Sequence, residues 1–184
     1  MNKFMRFCSR CLCIGRNNKP KQSNKFNEFN LDDEITNATW KSTIPFIPPI
    51  MGGKVIKVYD GDTITIASKL PSPYSPLYRF SVRINGIDCP EIKGKNDAEK
   101  ECAKIARNKL CDIILDKVVI LKNVGVEKYG RILADVYYED HSISEWLLQN
   151  NLAVPYDGGT KVCPDNWMEY HNKVNFTDIY KCKS

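Results

Sequence analysis

Histidine is almost missing from this chain, and so is any long run of apolar residues. Only two histidines occur in 184 residues, at 141 and 171. Neither lies near the cysteine-rich start, so Cys8, Cys11 and Cys13 lack the fourth ligand that a closed zinc site needs. No apolar stretch approaches the length of a membrane span, which excludes a transmembrane segment in the sequence given. Between Phe4 and Ile14 the polar residues Arg6, Ser9 and Arg10 leave no h-region, so the start reads as a poor secretory signal. Acid is absent from the first 25 residues, which carry seven Lys and Arg. Asn at position 2 excludes N-myristoylation. No internal repeat is visible.

The formal charge of +5 is concentrated in that tail. Residues 26–50 are net acidic, and residues 51–184 are close to neutral, so affinity for a polyanion in the body must come from local clustering. Hydrophobic content of 42% and charge of 27% fit an ordinary globular chain with one domain and extensions. The eight cysteines are crowded at 8, 11 and 13 and otherwise scattered singly. Without an export signal they are expected to be free thiols in a reducing, intracellular (cytoplasmic) compartment.

Residues 1–50 read as a basic, Cys-containing extension that ends in the Pro-rich connector Thr43–Pro49. Two readings of its start stand side by side. One is a disordered basic tail. The other is acylation of Cys8, Cys11 and Cys13, with the basic and apolar flanks as a second membrane signal for peripheral attachment. Residues 51–184 carry the pattern of a folded domain, expected to be monomeric. Lys54–Tyr59 and Thr63–Ile66 read as strands around the turn Asp60-Gly61-Asp62. Arg79–Asn85 follows as a third strand after a Pro-rich connection at 69–79.

Residues 97–116 carry helical periodicity, with Ala98, Cys102, Ile105, Leu110 and Ile113 near one face and Asp97 as cap. Val118–Leu121 and Ile132–Tyr138 are further strands. Ser142–Glu145 has the Ser-x-x-Glu form of a capping box, and Asp165–Val174 reads as another helix. The pattern is mainly β with helices: an OB-type five-stranded β-barrel carrying about three packed α-helices.

Three short stretches carry chemistry. Asp60-Gly61-Asp62-Thr63 offers hard oxygen donors suited to calcium or magnesium, although Asp-Gly is also an ordinary hairpin turn. Arg83-Ile84-Asn85-Gly86-Ile87-Asp88-Cys89-Pro90-Glu91 opens on a cation and ends on two acids about a rigid proline. Lys128-Tyr129-Gly130-Arg131 adds a turn with a second arginine, whose planar fork matches phosphate. Taken singly, each is also a solvated turn. Asp62 and Asp88 can converge only if the strands bring them together, as a barrel does.

In this order the three stretches resemble the staphylococcal (micrococcal) nuclease family over residues 53–157, including Leu152-Ala153 and the aromatic that follows. The resemblance implies calcium-dependent hydrolysis of DNA and RNA phosphodiesters with weak sequence preference and 3′-phosphate products. It implies Asp62 and Asp88 as calcium ligands with the backbone carbonyl of Cys89, and Asp60 as the acid behind them that orients water. Glu91 would be the general base or water-positioner, and Arg83 and Arg131 the phosphate grips. Lys128, Tyr129 and Tyr156 would bind substrate. Cys89 stands where the best-known member has Thr, which places a thiol, with its sensitivity to oxidation, beside the site. The rival reading is a barrel that binds nucleic acid without cutting it.

Overall fold

The computed structural model describes residues 32–173. The readings of Cys8, Cys11 and Cys13, and the end of the last expected helix, lie outside them. The chain divides at Ile44/Pro45 into two units. In the described part of the first, one helical turn, α1 (Asp33–Thr36), is capped by the Asp32 carboxylate, which accepts the Ile35 N–H at 2.9 Å.

The second unit contains β1 (Gly52–Val58), β2 (Thr63–Ser68), β3 (Tyr78–Ile84), β4 (Ile87–Asp88), α2 (Asp97–Ile114), β5 (Val118–Val126), β6 (Ile132–Tyr138), β7 (His141–Ser142), α3 (Ile143–Gln149), β8 (Val154–Pro155) and α4 (Trp167–Asn172). Strands β1, β2 and β3 form an antiparallel meander; β5 pairs antiparallel with β1, and β6 with β5. A parallel pairing of β3 with β6 (Val82↔Ile132, Arg83↔Leu133, Ile84↔Ala134) closes the barrel. The OB-type five-stranded architecture is therefore borne out, with the three helices α2, α3 and α4 among the described residues of this unit and the single turn α1 in the other.

Period-two alternation fills the barrel. Ile64 and Ile66, Val82 and Ile84, and Ile132, Ala134 and Val136 all point inward and are buried. In β1 the two inward residues, Val55 and Val58, are three apart. A register shift between Val55 and Lys57 absorbs the odd residue and leaves Ile56 outside, at 40% exposure. A second shift, between Lys122 and Gly125, lets β5 continue to Val126, well past the Leu121 expected from the sequence.

Helix α2 packs on the barrel with a face slightly rotated from the expected one. Cys102, Ala103, Ala106, Leu110 and Ile114 are buried, whereas Ala98, Ile105 and Ile113 lie at the margin. Its cap is Asn96, not Asp97: the Asn96 side chain accepts the Glu99 N–H at 2.8 Å. Ser142 caps α3 through the Glu145 N–H, as the Ser-x-x-Glu pattern implies. Trp146 and Leu147 of α3 join the barrel core, while α4 places Trp167 against Cys102 and Val154 in a smaller cluster. That second cluster anchors the segment after β8 to α2. His171 is half-buried, with Nδ1 3.0 Å from the Asn150 carbonyl at the end of α3.

Candidate active site

The functional candidates gather where β1, β3 and the start of β6 end. Asp62 sits in the short link from β1 to β2, and the Asp62 carbonyl accepts the Ile84 N–H at 2.8 Å. That bond fixes the link beside the end of β3. Arg83 is the penultimate residue of β3. After the Asn85-Gly86 turn, β4 carries Asp88 and pairs with β8 (Ile87↔Pro155, Asp88↔Val154). The β4–β8 pair was not legible in the sequence, because two-residue strands have no period to read. It puts Tyr156 next to the site, with the Tyr156 N–H donating to the Gly86 carbonyl at 3.0 Å. Arg131 immediately precedes β6.

These elements bring the two acids 62 and 88 together on one arginine. Arg83 Nη1 pairs with Asp62 Oδ2, and Arg83 Nη2 donates to Asp88 Oδ1 at 2.9 Å. Asp62 Oδ2 also accepts the Cys89 N–H at 3.0 Å, and Asp62 Oδ1 accepts the Thr63 hydroxyl at 2.9 Å. Asp62 and Asp88 are 6% and 2% exposed, and the shared Arg83 together with these hydrogen bonds offsets the cost of burying their charge. Burial alone would raise the Asp62 pKa; the Arg83 guanidinium beside it outweighs burial and holds the carboxyl below its ordinary value. Burial opposes the charge of Arg83 as well, yet Asp62 and Asp88 raise its pKa above the usual value.

Asp60 has no such partner. Burial, and then the charge of Asp62, pushes its pKa up to about 7. The Cys89 thiol is buried and its pKa is driven well up, first by burial and then by the neighbouring acids. A thiolate is therefore disfavoured, and the oxidation sensitivity expected of this cysteine is muted. Gly61 has no left-handed torsion and is not there for a turn. A Cβ on it would meet Cys89 Sγ at 2.7 Å and Ala106 Cβ at 3.1 Å. Its glycine lets the loop from β1 lie flat against the Asp88–Cys89 segment and α2.

Arg131 is half-buried. Its Nε pairs with Glu127, and Nη1 is 3.3 Å from Thr63 Oγ1. Arg131, Thr63, Asp62, Arg83 and Asp88 thus form one connected polar chain. Glu91 is exposed and comes from the loop before α2. That loop is held by Glu99 in the first turn of α2, whose carboxylate oxygens accept the N–H groups of Glu91 at 3.3 Å and Lys95 at 2.9 Å. Gly94 makes room for it, since a Cβ there would stand 2.3 Å from Glu99 Cδ.

A cavity of about 440 Å³ opens over this chain, and every site position named from the sequence between Asp60 and Tyr156 lines it. A smaller one of about 260 Å³ adjoins it, sharing Arg83, Glu127, Lys128 and Tyr156. Lys128 lies over the exposed Tyr129 ring, 5.0 Å from its centroid. Three participants escaped sequence reading: Glu127, Glu99 and Lys161. Glu127 stands four residues before Arg131, a spacing that was readable. Glu99 looked like one more charge on a helix face. Lys161 lies in a loop whose place over the site depends on the β4–β8 pair and α4.

The donor set suits a hard divalent cation. It has two buried carboxylates on one cavity wall and no soft or imidazole ligand beyond a suppressed thiol. No group of three His, Cys, Asp or Glu side chains able to hold an ion occurs among the described residues. Completion of an oxygen shell would therefore fall to backbone, water and substrate oxygens.

Comparison with known proteins agrees with this architecture. The family model described as staphylococcal nuclease homologue matches residues 81–173, half of the chain. The chain belongs to that family. It is 31% identical over 103 residues to an uncharacterized endonuclease of Haemophilus influenzae, covering 56% of this chain and 51% of the relative. It is 24% identical over 106 residues to an uncharacterized endonuclease of Escherichia coli, covering 57% and 61%. The chain thus spans about half of the first relative's length and three fifths of the second's. The family match begins inside β3, so Asp60 and Asp62 lie upstream of it and join the site through the barrel.

Proposed function

We propose that this chain is a calcium-dependent nuclease that hydrolyses phosphodiester bonds of DNA, RNA or both with little sequence preference, leaving 3′-phosphate ends. The observation that carries the reading is the Asp62–Arg83–Asp88 arrangement on the wall of a cavity that also holds Glu91 and Arg131. Its catalytic part is residues 51–184, with 1–50 as an extension.

In this reading Asp62 and Asp88 hold the cation together with the Cys89 carbonyl. Calcium there would polarise the phosphoryl oxygen and gather the nucleophilic water. Asp60 orients that water and Glu91 accepts its proton as the oxygen attacks phosphorus. The bond to the 5′ oxygen breaks, the 5′ oxygen takes up a proton, and the phosphate remains on the 3′ side. Arg83 and Arg131 stabilise the charge that builds on the equatorial oxygens, where a planar fork is worth more than an ammonium. Lys128, Tyr129 and Tyr156 offer a cation and two rings to the neighbouring nucleotides.

The test is cleavage of single-stranded and duplex DNA and of RNA by the full chain, with calcium, magnesium or chelator, beside Glu91→Ala. Calcium-dependent cutting that the variant loses supports the reading. A folded wild type that binds the strand and leaves it whole in every metal overturns it in favour of a binding module.

A further inference from the structure

The loop between β8 and α4 sends one side chain back into the site. Lys161 Nζ lies 3.0 Å from Asp88 Oδ1 and 3.0 Å from Glu91 Oε1. Asp88 Oδ1 is thereby shared between Lys161 and Arg83, whose Nη2 is 2.9 Å away. Asp88 is almost fully buried, whereas Lys161 keeps 42% of its side-chain surface in solvent. The ammonium is thus on a long, partly free stem at the rim, reaching toward a carboxylate that cannot itself reach out. Its neighbours on the other side are Glu91 and the cavity.

The charges explain why it goes there. Asp60, Asp62, Asp88 and Glu91 share one cavity, and Arg83 faces only Asp62 and Asp88. Arg131 is engaged by Glu127. Of the two acids that Arg83 leaves over, Asp60 and Glu91, Lys161 takes Glu91 and bridges it to the buried Asp88.

Resting on the nuclease reading above, we propose that Lys161 is an exchangeable counter-ion of this site. It holds Asp88 and Glu91 together while no divalent cation is bound, competes with that cation for Asp88, and turns to a phosphate of the nucleic acid once displaced. A cation approaching Asp88 meets a positive charge 3.0 Å from the oxygen it needs, and like charges at that range repel strongly at a half-buried site. The strand supplies the phosphates that re-pair the released ammonium. Metal binding and substrate binding are thereby coupled: each relieves the electrostatic cost of the other. A purely structural Lys161, which only pins its loop, makes the opposite prediction. Its loss would leave cation affinity unchanged or weaken it.

The experiment is calorimetric titration of calcium into the chelator-treated full chain, without nucleic acid. Wild type, Lys161→Met, Lys161→Arg and the surface control Lys104→Met are compared, with thermal melting to confirm folding. Lys161→Met is expected to bind calcium roughly three- to tenfold more tightly. Lys161→Arg, which keeps the charge, and Lys104→Met should stay near wild type. Saturating calcium should raise the affinity of wild type for a phosphorothioate strand more than it does for Lys161→Met. Equal or weaker calcium affinity in a folded Lys161→Met overturns the counter-ion role while wild-type cleavage, measured in parallel, leaves the nuclease reading standing. A wild type that neither binds calcium nor cuts DNA overturns both.

Discussion

Gly61→Ala is the sharpest probe of how the acids are positioned. The added methyl carbon would stand 2.7 Å from Cys89 Sγ, 3.0 Å from Cys89 Cβ and 3.1 Å from Ala106 Cβ. Comfortable carbon contacts lie at about 3.5–4.0 Å, so the loop from β1 and the Cys89 segment must separate by up to about 1 Å. Cys89 is 3% exposed and Ala106 fully buried, so neither neighbour can swing into solvent. Overpacking of this kind costs about 1–3 kcal/mol. The same displacement moves Asp62 away from Asp88, because the Asp62–Cys89 N–H bond joins the two segments.

The assay is urea unfolding of Gly61→Ala, Cys89→Ala and the double variant, with calcium affinity measured on each. Removing Sγ deletes the tightest of the three contacts. The Gly61→Ala penalty should therefore shrink by about 1 kcal/mol or more in the Cys89→Ala background, as neighbouring sites couple. A penalty of the same size in both backgrounds, or one below about 0.5 kcal/mol in either, would refute the close-approach account of Gly61.

Arg131→Ala should lower cleavage by about a hundredfold or more while the protein still melts cooperatively, and near-normal turnover would remove it from the phosphate grip. Glu99→Ala should speed hydrogen exchange at the Lys95 amide and lower the turnover number with little change in melting temperature; unchanged exchange would mean that the loop carrying Glu91 is held by something else. In chelator, Asp60→Asn should melt above the wild type at pH 8. The folded-state pKa of Asp60 is raised to about 7 from an ordinary value of 3.8. The folded wild type keeps a proton that the unfolded chain has released, so its stability falls as pH rises from about 4 to 7 and then levels. The variant's advantage opens over that window, and equal melting temperatures at pH 8 would show that Asp60 is not strained.

Much of the barrel was legible because inward residues repeat every second position in β2, β3 and β6, and the motifs sit at their ends. Legibility stopped where the chain breaks its own period. Val58 follows the inward Val55 by three residues because of the bulge in β1, and β5 runs past Leu121 through a bulge that no local residue announces. The face of α2 was displaced because small residues do the packing: Ala103 and Ala106 are buried where larger Ile105 and Ile113 drew attention. Within the site, the carboxylates and arginines were readable as residue types. Their mutual pairing was not, since Arg83 could as well have faced solvent as Asp62 and Asp88. Lys161 carried no signal at all, being 70 residues from Glu91 in sequence and adjacent in space.

The parallel seam between β3 and β6 is what brings the second arginine to this site. Val82, Arg83 and Ile84 meet Ile132, Leu133 and Ala134 there, so Arg83 and Arg131 become neighbours only as the barrel closes. Such non-local pairing is entropically late in folding. Chains emerging from synthesis can form the β1–β3 meander, with Asp62 and Arg83 already in place, and still lack the second arginine until β6 docks. Opening that seam would separate the two cations while leaving the meander intact. A copy with that seam open would lack one of the two proposed phosphate grips, so on the reading above its competence would depend on barrel closure and not on the meander alone.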